Sequence, residues 1–202
     1  MLIDIAAADY LDVYHLLVGV VTPRPIAWVT TLDPEGRVNL APFSFFNAFG
    51  ANPPVVVFSP TLRRDGSKKD TLRNLEATGE FVLNAAVESL AEKMNLCSKE
   101  LPYGQSEAEL AGLTLLPSVK VKPPRVAETP VTMECKLLQI VPIGKGPIAG
   151  NLIIGEVLVI HIADDLLDDK GRIDPRKLRT IARLGGDYYC RTTDLFEMKR
   201  PQ

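Results

Sequence analysis

Cysteine and histidine are scarce in this chain of 202 residues, with three of the first (Cys97, Cys135, Cys190) and two of the second (His15, His161). An odd set of widely spaced thiols builds no disulfide framework and no zinc-type pairing, and it suits a reducing compartment. Each thiol is expected to pack as a small hydrophobe. Two histidines without ligand-type spacing predict no metal site. No Gly-x-Ser-x-Gly elbow is present, so nothing supports a Ser-His-Asp hydrolase. Neither sign of charge dominates: 23 Lys and Arg against 25 Asp and Glu give a formal charge of −2. No basic field is available to hold a nucleic-acid backbone. Long hydrophobic runs are missing too. The opening "MLIDIAAADYLDVYHLLVGVV" lacks a basic n-region, carries Asp4, Asp9 and Asp12, and its longest apolar run, Leu16 to Val21, is far too short to span a bilayer. The expectation is a cytoplasmic protein that binds neither nucleic acid nor membrane.

What the chain does have is apolar content, 46% of its residues, which is ample for one well-buried domain over 1–202. "PIAWVTTL" (Pro25 to Leu32) runs into the turn "DPEG" and resumes as "RVNLA", which predicts a hairpin. "VVVFS", "EFVLN", "TMECKLLQIVPI" (Thr132 to Ile143) and "NLIIGEVLVIHI" (Asn151 to Ile162) share the same bias toward β-branched and aromatic residues. The last two, joined by "GKGPIAG", should pair as neighbours. Helices are expected over "DTLRNLEAT", opening at a capping Asp70 and closing on Gly79. Two more are expected, over Val87 to Leu96 and over "DPRKLRTIARLGG", with Asp174 as cap and a Gly-Gly stop. Helices inserted between mostly antiparallel strands point to a mainly β, α+β barrel. "KVKPPRVAETP", Lys120 to Pro130, is short enough for a surface loop.

Aromatic residues are unevenly spread. Four of the seven phenylalanines (Phe43, Phe45, Phe46, Phe49) fall within "APFSFFNAFG" together with Ser44 and Asn47, a mixture suited to a pocket wall. If the run is one strand, Phe43 and Phe45 share a face and Phe46 takes the other. "GKGPIA" matches the dinucleotide pattern Gly-x-Gly-x-x-Gly/Ala, but Pro147 has no N–H and the chain continues as a strand, so it reads as a hairpin connection. "RRDGSKKDT" places Arg63, Arg64, Lys68 and Lys69 ahead of a helix N-terminus; it is either a solvated loop or a seat for phosphate. His161 is either a structural, hydrogen-bonded residue or a catalytic one. The acidic run Asp164 to Asp169 reads as a solvated turn, and Tyr188 and Tyr189 as strand residues, one of them a candidate ligand contact.

With these residues in place the chain resembles the flavin reductase-like family, the FMN-binding split β-barrel proteins, and most of all its flavoredoxin-type branch. The resemblance is carried by "TPRPIAWVTTLDPEGRVNLAPFSFFNAFGANPPVVVFSP" and "KKDTLRNLEATGEFVLN". It is supported by "PRVAETPVTMECKL", "IGEVLVIHIADD" and "IARLGGDYYCRTTDLFEMKRP", and it covers nearly everything from about Val20 onward. It implies an FMN site in which the stretch Asn39, Ala41, Pro42, Phe43, Ser44, Phe45, Phe46 and Asn47 borders the isoalloxazine. Ser59, Lys69, Asp70 and Thr71 would hold the ribityl phosphate, and Arg24 would reach that end. It further implies NADH or NADPH as co-substrate, His161 as a donor or nicotinamide contact, and a homodimer that passes electrons to flavin or to an acceptor protein. An electron carrier without its own NAD(P)H activity is the alternative.

Overall fold

The structure, a computed structural model, describes residues 2–201. The predicted hairpin forms as β2 (Ala27–Leu32) and β3 (Val38–Phe43), paired from Ala27↔Phe43 to Leu32↔Val38. After a two-residue bend the chain enters β4 (Phe46–Ala51) and turns back as β5 (Pro54–Phe58). β6 (Glu80–Ala85) then pairs with β2, and the long hairpin of β9 (Val131–Ile143) and β10 (Gly150–Ile162) completes a seven-stranded sheet in the order β3-β2-β6-β9-β10-β5-β4. Every pairing in that sheet is antiparallel.

The strand order itself closes the sheet. β3 and β4 occupy opposite edges, yet only Ser44 and Phe45 separate them in the chain. The sheet must therefore curl until its edges meet. No ladder joins the two edges, and the closure is a split β-barrel, as the mainly β expectation required. Small sheets flank it: β1 (Arg24–Pro25) with β11 (Ile181–Arg183) and β12 (Tyr189–Arg191), and β7 (Leu115–Leu116) with β8 (Arg125–Val126). The last pair gives the proline-rich segment a two-residue strand within an otherwise irregular loop.

Alternation explains why β2 is apolar on both faces. Ala27 and Val29 point into the barrel with Phe43, Phe58, Phe81 and Leu83, whereas Trp28 points outward against Met94, Cys97 and Ala108. Inside the barrel three rings meet in sequence, Phe43 tilted against Phe58 at 5.5 Å and Phe58 edge-on to Phe81 at 5.4 Å between centroids. Gly155, where β10 shifts register, makes room for the last ring: a Cβ there would lie 2.3 Å from Phe81 Cζ.

Helix α2 (Asp70–Thr78) covers the barrel with Leu72 and Leu75 and ends on Gly79 in the left-handed region at φ 68°. Its cap differs from expectation. Lys69 is the N-cap, without a capping side chain, and Asp70 is the first helical residue. The outer cluster takes α3 (Ala91–Leu96), which follows a 3-10 turn at Glu88–Leu90, and α4 (Glu107–Leu110). The helix expected over residues 174–186 shrinks to one turn, α5 (Pro175–Leu178). Asp174 and Pro175 act as predicted, but β-branched Thr180 leaves the helix for a bridge to Val87 and Ile181 for β11, where cross-strand pairing outweighs the local signal. An unexpected helix, α1 (Tyr10–Val20), is capped by Asp9, whose carboxylate accepts the Leu11 N–H at 2.8 Å. Among the described residues no helix is long and apolar enough to cross a membrane.

Candidate functional site

An open cleft lies where the end of β3 meets the start of α2. β3 contributes Asn39, Ala41, Pro42 and Phe43, and the helix start contributes Lys69, Asp70 and Thr71. The two elements are locked together by buried amides. Asn39 Nδ2 donates to Thr31 Oγ1 at 3.2 Å and to Thr71 Oγ1 at 2.9 Å, and Asn74 Nδ2 reaches the same Thr31 oxygen at 3.0 Å. Asn39 thus positions the helix N-terminus with its side chain.

That N-terminus is set up for an anion. It has no side-chain cap, and the Asp70 and Thr71 N–H groups find no acceptor among the described residues. The helix dipole adds positive potential at the same point. The Lys69 ammonium forms neither an ion pair nor a hydrogen bond among the described residues, and its Nζ lies 5.7 Å from the centre of the Phe43 ring. Burial pulls the Lys69 ammonium below the usual lysine range, the Arg63 charge adds to that, and the Glu100 carboxylate opposes it. The neighbouring Lys68 is committed to Glu76 at 2.7 Å. Arg63, also in the cleft wall, donates to the Lys68 carbonyl and to Asp70 Oδ1 at 3.2 Å.

The aromatic stretch turns at this cleft instead of running on as a strand. Ser44 and Phe45 form the bend between β3 and β4, and this corrects the expected alternation: Phe43 and Phe46 pack against the same inner cluster, Phe45 is half-buried and Phe49 is exposed. The N–H groups of Ser44 and Phe45 have no acceptor among the described residues, while the Phe45 carbonyl takes the Ser59 N–H at 2.9 Å. On the far side of the bend Phe46 lines a second cavity with Pro25, Ile26, Leu83, Met133 and Ile181, and no charged side chain lines it. A cleft lined by charges of both signs and an apolar cavity therefore flank the bend at Ser44 and Phe45.

Other expected site residues stand apart from the cleft. Ser59 Oγ accepts the Asn151 N–H at 3.1 Å, and Asn47 is exposed, its side chain turned to the Ala48 N–H at 2.8 Å. Arg24 does not reach the anion end. Its guanidinium is buried and donates to the carbonyls of Val18 and Val21 (both 2.6 Å) and Leu184 (3.0 Å), with Nε on Ser44 Oγ at 3.3 Å. The orphan carbonyls at the end of α1 claim it, a demand visible only once that helix is known.

His161 is not brought to the cleft either. Its Nε2 meets Glu134 Oε1 at 2.7 Å, and Glu134, fully buried, also accepts the N–H groups of Val119 (2.8 Å) and Lys120 (2.6 Å). Tyr188 is exposed and Tyr189 lies in β12, both outside the cleft lining.

Sequence reasoning missed the cleft's third wall, Cys97 to Leu101 with Glu107. Burial pushes the Cys97 thiol up to about 12, so it is protonated at neutral pH and is no nucleophile. Burial also pushes the Glu107 carboxyl up, against the Leu40 N–H that it accepts at 2.9 Å. Its only signal was a charged residue at a position that the fold buries. Among the described residues no group of His, Cys, Asp and Glu could hold a metal ion.

Comparison with known proteins gives the arrangement relatives. The flavin reductase like domain family matches residues 20–180. The crystal structure of nitrilotriacetate monooxygenase component B from Bacillus cereus is 39% identical, covers 98% of each chain and superposes with a TM-score of 0.92. The 2-nitrobenzoate 2-nitroreductase of Pseudomonas fluorescens is 36% identical over 100% of this chain and 96% of its own, with a TM-score of 0.89. The flavoredoxin of Desulfovibrio vulgaris, at 19% identity over 98% of this chain and 97% of its own, shares the fold with a TM-score of 0.76.

Proposed function

The chain belongs to the flavin reductase-like family, and from that premise we propose that it binds FMN, accepts hydride from NADH or NADPH, and passes the electrons to free flavin or a partner acceptor. The observation that carries the reading is the half-buried Lys69 ammonium, without an ion-pair partner among the described residues, at an uncapped helix N-terminus. Such a charge is costly to bury without a counter-anion. A phosphate monoester supplies one, with acceptor oxygens for the free Asp70 and Thr71 amides. Lys69, Arg63, Asp70 and Thr71 would hold that phosphate, and the wall from Ala41 to Phe46 would face the flat ring system.

Bound FMN supplies the hydride-accepting and electron-releasing chemistry, and no protein nucleophile is required. The protein's part is position and electrostatics. The N–H groups of Ser44 and Phe45, free of backbone partners, are donors for negative charge that develops on reduction. The rings of Phe43 and Phe46 exclude water from either side of the bend.

The test is an absorbance spectrum of the protein desalted after addition of FMN, followed by anaerobic NADH and then NADPH. Retained flavin bands that bleach with a nucleotide are expected. Retained bands that do not bleach would indicate an electron carrier fed by another protein, and failure to bind FMN in a titration would remove the cofactor from the reading.

The partner reading is a homodimer. Leu138, Leu158 and Ile160 on the outer faces of β9 and β10 are exposed, as is Phe49 on β4. Apolar side chains gathered on strands of one sheet are candidates for burial against a second copy. Light scattering is expected to give twice the chain mass, and a monomer at micromolar concentration would reject the dimer.

A further inference from the structure

The cleft holds more negative charge than an anion seat requires. Two of its carboxylates are built into the structure: Asp70 is bonded to Arg63 at the head of α2, and Glu107, 6% exposed, accepts the Leu40 N–H. Glu100 is different. Its side chain is 74% exposed, its Oε1 lies 3.9 Å from Arg63 Nε, and its charge reaches Lys69 as well. The loop that carries it is anchored just beyond, where the Tyr103 ring sits 5.1 Å from the Arg37 guanidinium and 5.5 Å from that of Arg73. Gly104, at φ 86°, lets that anchor close, since a Cβ there would stand 3.0 Å from the Arg37 guanidinium. The backbone is held near the cleft while the Glu100 side chain is free to swing away.

Resting on the FMN reading above, we propose that Glu100 is a specificity-determining residue whose carboxylate stands opposite Arg63 and Lys69 in the free protein and must be displaced by the ligand's phosphate. The seat is then partly neutralised by the protein's own anion. A dianionic phosphate monoester, with more charge and the free Asp70 and Thr71 amides to engage, displaces the carboxylate. A weak monoanion does not, and a ligand that lacks the phosphate leaves Glu100 where it is.

Glu100→Gln tests this with binding alone, by flavin fluorescence titration of wild type and variant with FMN and riboflavin at low and high salt. Removal of one exposed carboxylate near a cationic pair is expected to tighten FMN about three- to tenfold at low salt. Riboflavin should stay within about twofold of wild type, and the FMN gain should shrink as salt screens the seat. An unchanged or weaker FMN constant, or a gain shared by riboflavin, overturns the proposal. A wild-type protein that binds FMN no more tightly than riboflavin overturns the phosphate seat itself, and this proposal falls with it.

Discussion

Lys69→Met is expected to weaken FMN binding by about ten- to a hundredfold and, at the same time, to raise the melting temperature of the FMN-free protein. The loss follows from the charge-assisted bonds to the phosphate, worth about 1.5–3 kcal/mol when one partner is ionised. The gain follows from the cleft: Lys69 is packed near Phe43 without an ion-pair partner among the described residues, and methionine keeps the stem while removing a charge that burial disfavours. The sign can be followed with pH. Burial lowers the folded-state pKa of Lys69 below its unfolded value, so the charged side chain weakens the fold at neutral pH. That weakening fades as pH rises through the lowered pKa. The advantage of methionine should accordingly be full near neutrality and shrink in alkaline buffer. Fluorescence titration and thermal melts at several pH values check both halves. Unchanged FMN affinity would take Lys69 out of the site, and a lower melting temperature would mean that the ammonium has a partner this structure does not hold.

Glu134→Ala is expected to be the most damaging single change for stability. Three donors converge on that carboxylate, and all three lose their acceptor when it is removed, at a fully buried position. Breaking a buried charged group out of its network costs about 3–5 kcal/mol. At this chain length that corresponds to a fall of about 6–20 °C in melting temperature. Glu134→Gln, which retains one acceptor oxygen, should fall between the variant and wild type. Burial alone would raise the Glu134 pKa, but the Val119 amide, His161 and the Lys120 amide together hold it below the usual carboxylate range. Its contribution to stability is therefore complete above the unfolded value, about 4.3, and is lost as pH falls through the lower folded value. Wild type should lose stability in that acid window more steeply than Glu134→Gln. Equal melting temperatures for Glu134→Ala and wild type would refute the account.

Much of this was legible where the signal is local. The hairpin of β2 and β3 announces itself through "DPEG" between two β-branched runs, and "GKGPIA" was separable from a nucleotide fingerprint because Pro147 lacks the N–H that such a loop needs. The cleft was half legible for the same reason: β3 and the head of α2 lie close in the sequence, and helix electrostatics alone marks the second as an anion seat. Its third wall was not, because Glu107 reaches the Leu40 amide across 67 positions, and no periodicity foretells such a contact. Helix α1 was missed because only Val18 along its length is buried, so it shows no clear apolar stripe. Without α1, Arg24 looked free to bind a ligand. Thr180 and Ile181 show the reverse case, in which good cap signals upstream lost to strand pairing with partners far away in the chain.

The two-residue link at Ser44 and Phe45 makes the barrel a clasp rather than a closed ring. The proposed ligand wall sits on that clasp, at the seam where no strand-to-strand ladder crosses from β3 to β4. Grip on a ligand can tighten or relax there without unzipping a single rung of the sheet, which leaves the seven strands as a rigid frame around one adjustable edge.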